Sequence, residues 1–197
     1  MKTKKISVQS GVVVLFVVAT ATLRVVFNFS DDLSAMANFS PLGAMALFGG
    51  ACFSNRYKAC LLPVGTLFLS DVILQHTVYA KYSSGLLYSG WMWVYGAFLL
   101  MVIAGRLLLR KFTVSRFLLS VAITVLIHWL VTDFGVWMGS AFYAQNLGGY
   151  INCLVAAIPF EIRFLTGTLV YGAVLFGGIL LLQQQNRLLP ESVGRPE

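Results

Sequence analysis

Length, composition and charge exclude a soluble globular domain. The chain has 197 residues, of which 58% are hydrophobic and 11% are charged, whereas about 25% of residues are charged in an average soluble domain. The net charge of +7 does not indicate nucleic-acid binding, because the basic residues fall in short clusters between apolar segments. These features predict one integral membrane domain.

The first apolar segment follows a basic N-terminus. Three lysines precede it, and Ala19-Thr20-Ala21 resembles a signal-peptide cleavage site. The apolar run continues past that site through Val25, Val26 and Phe27. We therefore predict a retained helix over residues 6–27.

The next three apolar segments predict helices over residues 42–53, 59–75 and 91–106. Pro41 removes a backbone donor and disfavours helix at the residue before it, so the second helix should begin after Pro41. Its many glycines and alanines predict close packing among other helices. Pro63 would lie in the first turn of the third helix, where proline is tolerated.

The last two predicted spans cover residues 117–138 and 160–182. Residues 151–183 are too many for one span of about 20 residues, and Pro159 divides them. We therefore expect an interfacial or re-entrant piece before Pro159 and a sixth span after it. Residues 183–197 are polar and predict a mobile tail.

Six spans put both termini on one side of the membrane. The loops of the opposite side contain only Lys81 beside Asp31 and Asp32. By the positive-inside rule, both termini should be cytoplasmic. The basic residues that fall on the cytoplasmic side are Lys2, Lys4, Lys5, Arg56, Lys58, Arg106, Arg110, Lys111, Arg116, Arg187 and Arg195.

The fifth span contains polar residues that are costly in a membrane. Trp129, Asp133 and Trp137 recur at i, i+4 and i+8, so an acid lies between two indoles on one helix face, and His128 lies on the adjoining stripe. A charged residue near the centre of a membrane helix costs about 2.5–3.5 kcal/mol. This face should therefore point into the protein.

Other charged residues lie at the same predicted depth, in the outer half of the membrane. Together they predict a polar cavity open to the outside, and Arg163 is expected to reach Asp71 or Asp133. An alternative stays open, in which Asp133 pairs with a basic residue only to fix helix packing. The charged residues at this depth are Arg24, Asp71, Asp133, Glu161 and Arg163.

No motif in the chain indicates an enzyme. The sequence has no Walker loop, no HExxH and no nucleophile–base arrangement. The three cysteines match no zinc or redox spacing and predict no disulfide framework. A haem or cobalt ligand from His76, His128 or a cysteine is a minor alternative. We expect no cofactor and no metal.

Four sequence blocks resemble a known family. They are NFSPLGAMALFGG at 38–50, the segment 63–71 ending in Ser70-Asp71, DFGVW at 133–137 and AAIPF at 156–160. Together they resemble a family of small six-helix bacterial membrane proteins without known function. That family is similar to S-components, the substrate-binding membrane subunits of energy-coupling factor vitamin transporters. The resemblance implies an all-α, S-component-like bundle of six transmembrane helices in the bacterial cytoplasmic (inner) membrane.

The resemblance also implies a function and partners. An S-component captures a vitamin or a precursor from outside and partners a membrane coupling subunit with two ATPases, without covalent chemistry of its own. Small residues of the first span would then meet the coupling subunit, here Gly11, Ala19 and Ala21. The alternative function is a non-catalytic accessory or assembly subunit of a larger membrane complex. We expect the solute to contact Asn38, Asp71, His128, Trp129, Asp133, Trp137, Glu161 and Arg163.

Overall fold

The computed structural model describes residues 10–29, 38–82 and 85–188. Within these ranges the protein is all-helical, with six helices and no strand, which confirms the predicted all-α class. A short 3-10 turn, Ala80–Tyr82, follows the third helix. The helices are α1 (Ser10–Phe29), α2 (Leu42–Cys52), α3 (Arg56–His76), α4 (Trp91–Leu108), α5 (Val114–Gly139) and α6 (Leu147–Leu188).

Four helices are long and apolar enough to cross a membrane: α3, α4, α5 and the Leu147–Leu181 part of α6. Large apolar side chains are exposed along them, including Leu107, Val136 and Val174, as expected of helices that face lipid. The six-span topology and the cytoplasmic termini stay predictions. The terminal residues Lys2, Lys4, Lys5 and Arg195, and the loop residues Asp31 and Asp32, lie outside the described ranges.

Helix α2 is the centre of the bundle. Its residues 42–50 are all buried, and it packs against α3, α4, α5 and α6. Its crossing with α4 is close, because a Cβ added to Gly105 would lie 2.5 Å from the Leu47 carbonyl oxygen and one added to Gly50 would overlap the Val102 carbonyl oxygen. The glycines and alanines therefore do bring backbones together, as their pattern predicts.

Helix α3 differs from the prediction at its start. It begins at Arg56, three residues before the predicted start, and the Asn55 side chain caps it by accepting from the Tyr57 and Lys58 backbone N–H groups. Pro63 lies inside a π-helical segment, Leu61–Gly65, so placing it in the first turn was wrong. Proline lacks an N–H and clashes with the carbonyl one turn earlier. The wider π-turn is a local change of helix geometry that accommodates it.

Helix α6 runs without a break through Pro159. The predicted separate piece before Pro159 and the sixth span beginning at Phe160 were therefore wrong. Within a membrane, neighbouring helices and local adjustments tolerate an interior proline, and here the N-terminal half of α6 packs along α5. The helix continues to Leu188, so residues 183–188 belong to it, whereas residues 189–197 lie outside the described part of the chain.

The polar contacts between helices identify the two ends of the bundle. At one end, Arg106 Nη2 donates to the Ser54 carbonyl oxygen at 2.8 Å, which joins the end of α4 to the basic turn before α3. At the other end, α1 and α3 finish and α4 begins. Helix α1 packs mainly against α3. The candidate site lies at this second end.

Candidate binding site

An ion pair joins the ends of α1 and α3. Arg24 Nη1 lies 2.5 Å from Asp71 Oδ1 and also donates to Ser70 Oγ. The Tyr95 hydroxyl of α4 donates to Asp71 Oδ2 at 3.2 Å. The Asp71 side chain is only 2% exposed. Both of its oxygens are therefore occupied, and its charge is compensated by the guanidinium.

The C-terminal turns of α1 bring further polar groups to this ion pair. Asn28 is one turn after Arg24, and its Nδ2 donates to the Arg24 carbonyl oxygen at 2.8 Å. Tyr79, just beyond α3, donates its hydroxyl to Asn28 Oδ1 at 2.9 Å. These bonds join the end of α1 to the segment after α3, next to the ion pair.

A polar cavity of about 260 Å³ lies beside the ion pair. Its volume is near the lower end of the range of roughly 300–1,000 Å³ for ligand pockets. Among the described residues, the side chains of Asn38, Gln75 and Tyr88 make no hydrogen bond. The cavity is lined by Arg24, Asn28, Asn38, Asp71, Leu74, Gln75, Tyr79 and Tyr88.

Tyr88 belongs to the loop before α4 and contributes a neutral phenol. Burial is the main cause that raises the pKa of Tyr88 above its usual value; the negative charge of Asp71 adds to the effect and the positive charge of Arg24 opposes it. The phenol therefore keeps its proton at physiological pH. It can donate a hydrogen bond into the cavity.

Of the eight predicted binding residues, the cavity contains Asn38 and Asp71. The other six do not line it. Arg24 was among the charged residues predicted for the cavity, although not among these eight. Two cavity residues that we did not predict, Asn28 and Gln75, had a signal in the sequence. Arg24 and Asn28 are four residues apart on α1, and Asp71 and Gln75 are four apart on α3, so each pair shares a helix face.

His128 and Glu161 form a second ion pair, between α5 and α6. His128 Nδ1 lies 2.7 Å from Glu161 Oε1. The imidazole stacks on the Phe164 ring with 4.1 Å between ring centroids, and the Phe98 ring of α4 meets its edge. Glu161 is buried. The pair therefore sits among α4, α5 and α6, away from the cavity.

The two indoles on either side of Asp133 hold α5 against the segments that follow it. Trp129 Nε1 donates to the Leu154 carbonyl oxygen of α6, and Trp137 Nε1 donates to the Ala144 carbonyl oxygen of the loop, each at 2.9 Å. Asp133 is 9% exposed, and its Oδ2 has no hydrogen-bond partner. Trp129, Asp133 and Trp137 follow one another along α5 as predicted. However, both indole N–H groups donate to backbone carbonyl oxygens of the protein.

Arg163 does not make the predicted contact. Asp71 pairs with Arg24, and within the described part of the chain Arg163 forms no ion pair. Residues two apart on a helix point to different sides. The Glu161 side chain points toward α5, where it pairs with His128, so the Arg163 side chain points elsewhere. The prediction that Arg163 reaches Asp71 or Asp133 was therefore wrong.

The residues predicted to contact a partner subunit lie on α1. On α1, Ala21 is 2% exposed and Ala19 faces outward, whereas only the backbone of Gly11 is described. Ala21 is therefore used in packing within the chain. No group of three or more His, Cys, Asp or Glu among the described residues could hold a metal ion.

The fold and cavity define a helical membrane protein with a polar pocket at one end of its bundle. Residues 4–191 match the family described as "Family of unknown function (DUF6580)". The chain belongs to this family. No curated protein and no solved structure matches it, so the similarity to S-components stays a prediction.

Proposed function

We propose that the chain is a substrate-binding membrane subunit for the uptake of a small solute. The observation that carries the proposal is the cavity itself. It combines an ion pair with three polar side chains, those of Asn38, Gln75 and Tyr88, that have no hydrogen-bond partner among the described residues. Gln75 is buried, and Asn38 and Tyr88 are half-buried, so their polar groups are open to a molecule in the cavity. A solute with complementary groups would supply hydrogen-bond partners to all three.

The lining indicates the chemistry of this solute. Arg24 has five N–H donors, of which Asp71 and Ser70 use only part, so it can also bind an acceptor such as a carboxylate. The amides of Asn38 and Gln75 can both donate and accept, and Leu74 supplies an apolar contact. A compact, polar molecule with an anionic or carbonyl group fits best, which includes vitamins and related metabolites.

The cellular setting of the proposal follows from the sequence. The chain would lie in a bacterial cytoplasmic membrane with both termini in the cytoplasm and the cavity open to the outside. The resemblance to S-components adds a membrane coupling subunit and ATPases as partners. The solute-binding subunit itself would do no covalent chemistry.

Native mass spectrometry tests the proposal directly. Protein extracted gently from its host membranes through a C-terminal tag should carry a bound small molecule. The bound mass should be lost in Asn38→Ala and in Gln75→Leu, because each removes polar groups from the cavity wall. Trp137→Phe is the control, since its indole bonds to the Ala144 carbonyl outside the cavity. An empty wild-type protein, or variants that keep the ligand, would contradict the proposal.

A second candidate is a non-catalytic accessory or assembly subunit of a larger membrane complex. It is favoured by the two ion pairs, since Arg24–Asp71 joins α1 to α3 and His128–Glu161 joins α5 to α6. In that case the two ion pairs would only hold the helices together. The same extraction would then recover other membrane subunits in fixed stoichiometry with an empty cavity, and charge removal would lower only the stability.

A further inference from the structure

The seam between α5 and α6 contains an ionisable cluster that is separate from the cavity. Its members are His128 and Asp133 on α5 and Glu161 on α6, and none of them lines the cavity. Asp133 is 9% exposed and Glu161 is 7% exposed. Asp133 Oδ2 and Glu161 Oε2 are both buried without a hydrogen-bond partner. A buried carboxylate oxygen without a partner makes the charged form of the group costly.

The charges of the cluster do not balance if every group is ionised. It holds two carboxylates and one imidazole, and His128 lies against Glu161. A second carboxylate charge would therefore have no counter-ion, and an unpaired charge inside a membrane helix is costly. Arg163 forms no ion pair within the described residues and does not compensate it.

The segments that pack against α5 bring no positively charged side chain to Asp133. Helix α6 brings Tyr150 and Cys153, whose Sγ lies 3.6 Å from the Asp133 carbonyl oxygen, and the loop before α6 brings Tyr143. From α4, the ionisable side chains are Tyr95 and Arg106. They contact Asp71 and Ser54. Among the described residues, His128 is thus the one basic side chain of the cluster, and it is paired with Glu161.

We propose that Asp133 is a proton-binding site within the membrane. Asp133 would hold this proton at neutral pH, because its buried carboxyl group has no ion-pair partner among the described residues. Asp133 lies six residues, about 9 Å along the helix axis, before the end of α5 at Gly139. Loss of the proton adds a negative charge beside Glu161 and loosens the α5–α6 seam. This inference does not depend on the proposed solute.

Infrared difference spectroscopy of the full chain in lipid nanodiscs tests the proposal. At neutral pH, the wild type should show a carboxylic-acid C=O band that shifts in heavy water, and Asp133→Asn should lose it. Asp71→Asn is the control and should keep the band, because Asp71 is paired with Arg24. A wild type without the band, or an unchanged band in Asp133→Asn, would overturn the proposal.

Tryptophan fluorescence is a second test of whether Asp133 is protonated. Trp129 and Trp137 are one turn before and one turn after Asp133 on α5, so ionisation of Asp133 should change their emission. The wild type should show an emission change as the pH rises, and Asp133→Asn should lack that step. If sodium at constant pH produces the change and protons do not, the cluster binds a metal cation and the proposal is wrong.

Discussion

Arg24 and Asp71 form an ion pair across 47 residues of sequence, with 2.5 Å between Arg24 Nη1 and Asp71 Oδ1. The pair fastens α1 to α3, which is the helix that α1 mainly contacts. The same two side chains line the polar cavity. One interaction therefore serves both the packing of α1 and the charge of the candidate binding site.

Arg24→Gln should be strongly destabilising. It leaves the Asp71 carboxylate, 2% exposed, without its counter-ion, and removing one partner of a buried pair costs about 3–5 kcal/mol. Because Arg24 is itself 19% exposed, we expect the lower end of that range. Denaturant unfolding in detergent measures the loss. Adding Asp71→Asn should recover part of it, because the unpaired charge is then gone.

Arg106→Gln is the matched control for this prediction. Its guanidinium donates to the Ser54 carbonyl oxygen and contacts no carboxylate among the described residues. An equal loss of stability in Arg24→Gln and Arg106→Gln would mean that the ion pair contributes nothing beyond a hydrogen bond.

Gly50→Ala should destabilise the crossing of α2 and α4. The added methyl group would overlap the Val102 carbonyl oxygen and approach the Arg106 backbone nitrogen at 2.8 Å, and backbone atoms cannot move aside cheaply. Overpacking of this kind costs about 1–3 kcal/mol. Gly96→Ala on α4 is the control, since nothing lies within 4 Å of its added methyl group. Equal melting temperatures of Gly50→Ala and Gly96→Ala would contradict the close packing of α2 and α4.

Pro159→Ala should stabilise α6. The substitution restores a backbone N–H inside a continuous helix, and proline in a helix interior is about 3 kcal/mol less favourable than alanine. Because membrane helices tolerate proline better than soluble ones, we expect a gain smaller than that figure. The denaturant midpoint should rise above that of the wild type, whereas Ile158→Ala, its neighbour on the same helix, should not raise it. A midpoint below that of the wild type would contradict the prediction.

Tyr88→Phe should reduce the alkaline sensitivity of the protein. The folded state raises the pKa of Tyr88 above the unfolded value of about 10. A group whose folded pKa is raised contributes stability that is fully present below the unfolded pKa and is lost as the pH rises from the unfolded pKa to the folded pKa. The melting temperature of the wild type should therefore fall more steeply above about pH 10 than that of Tyr88→Phe. The two should match at pH 7, and parallel alkaline slopes would contradict the prediction.

The sequence by itself determined the helices of this protein. Hydropathy, prolines and glycines are local signals, and they predicted helices over 42–53 and 91–106 where the structure has Leu42–Cys52 and Trp91–Leu108. The small residues of α2 also predicted its close packing correctly. Pro159 misled the prediction, because whether a proline ends a membrane helix depends on the helices beside it.

Only the tertiary structure decided which polar residues meet. Sequence spacing placed Asp71, Asp133, Glu161 and Arg163 at one depth and suggested a single cavity. In the structure Asp71 pairs with Arg24, and Glu161 pairs with His128. The reason is that spacing fixes which residues share a face of one helix. The rotation and tilt that direct this face toward a partner are set by packing against the other helices.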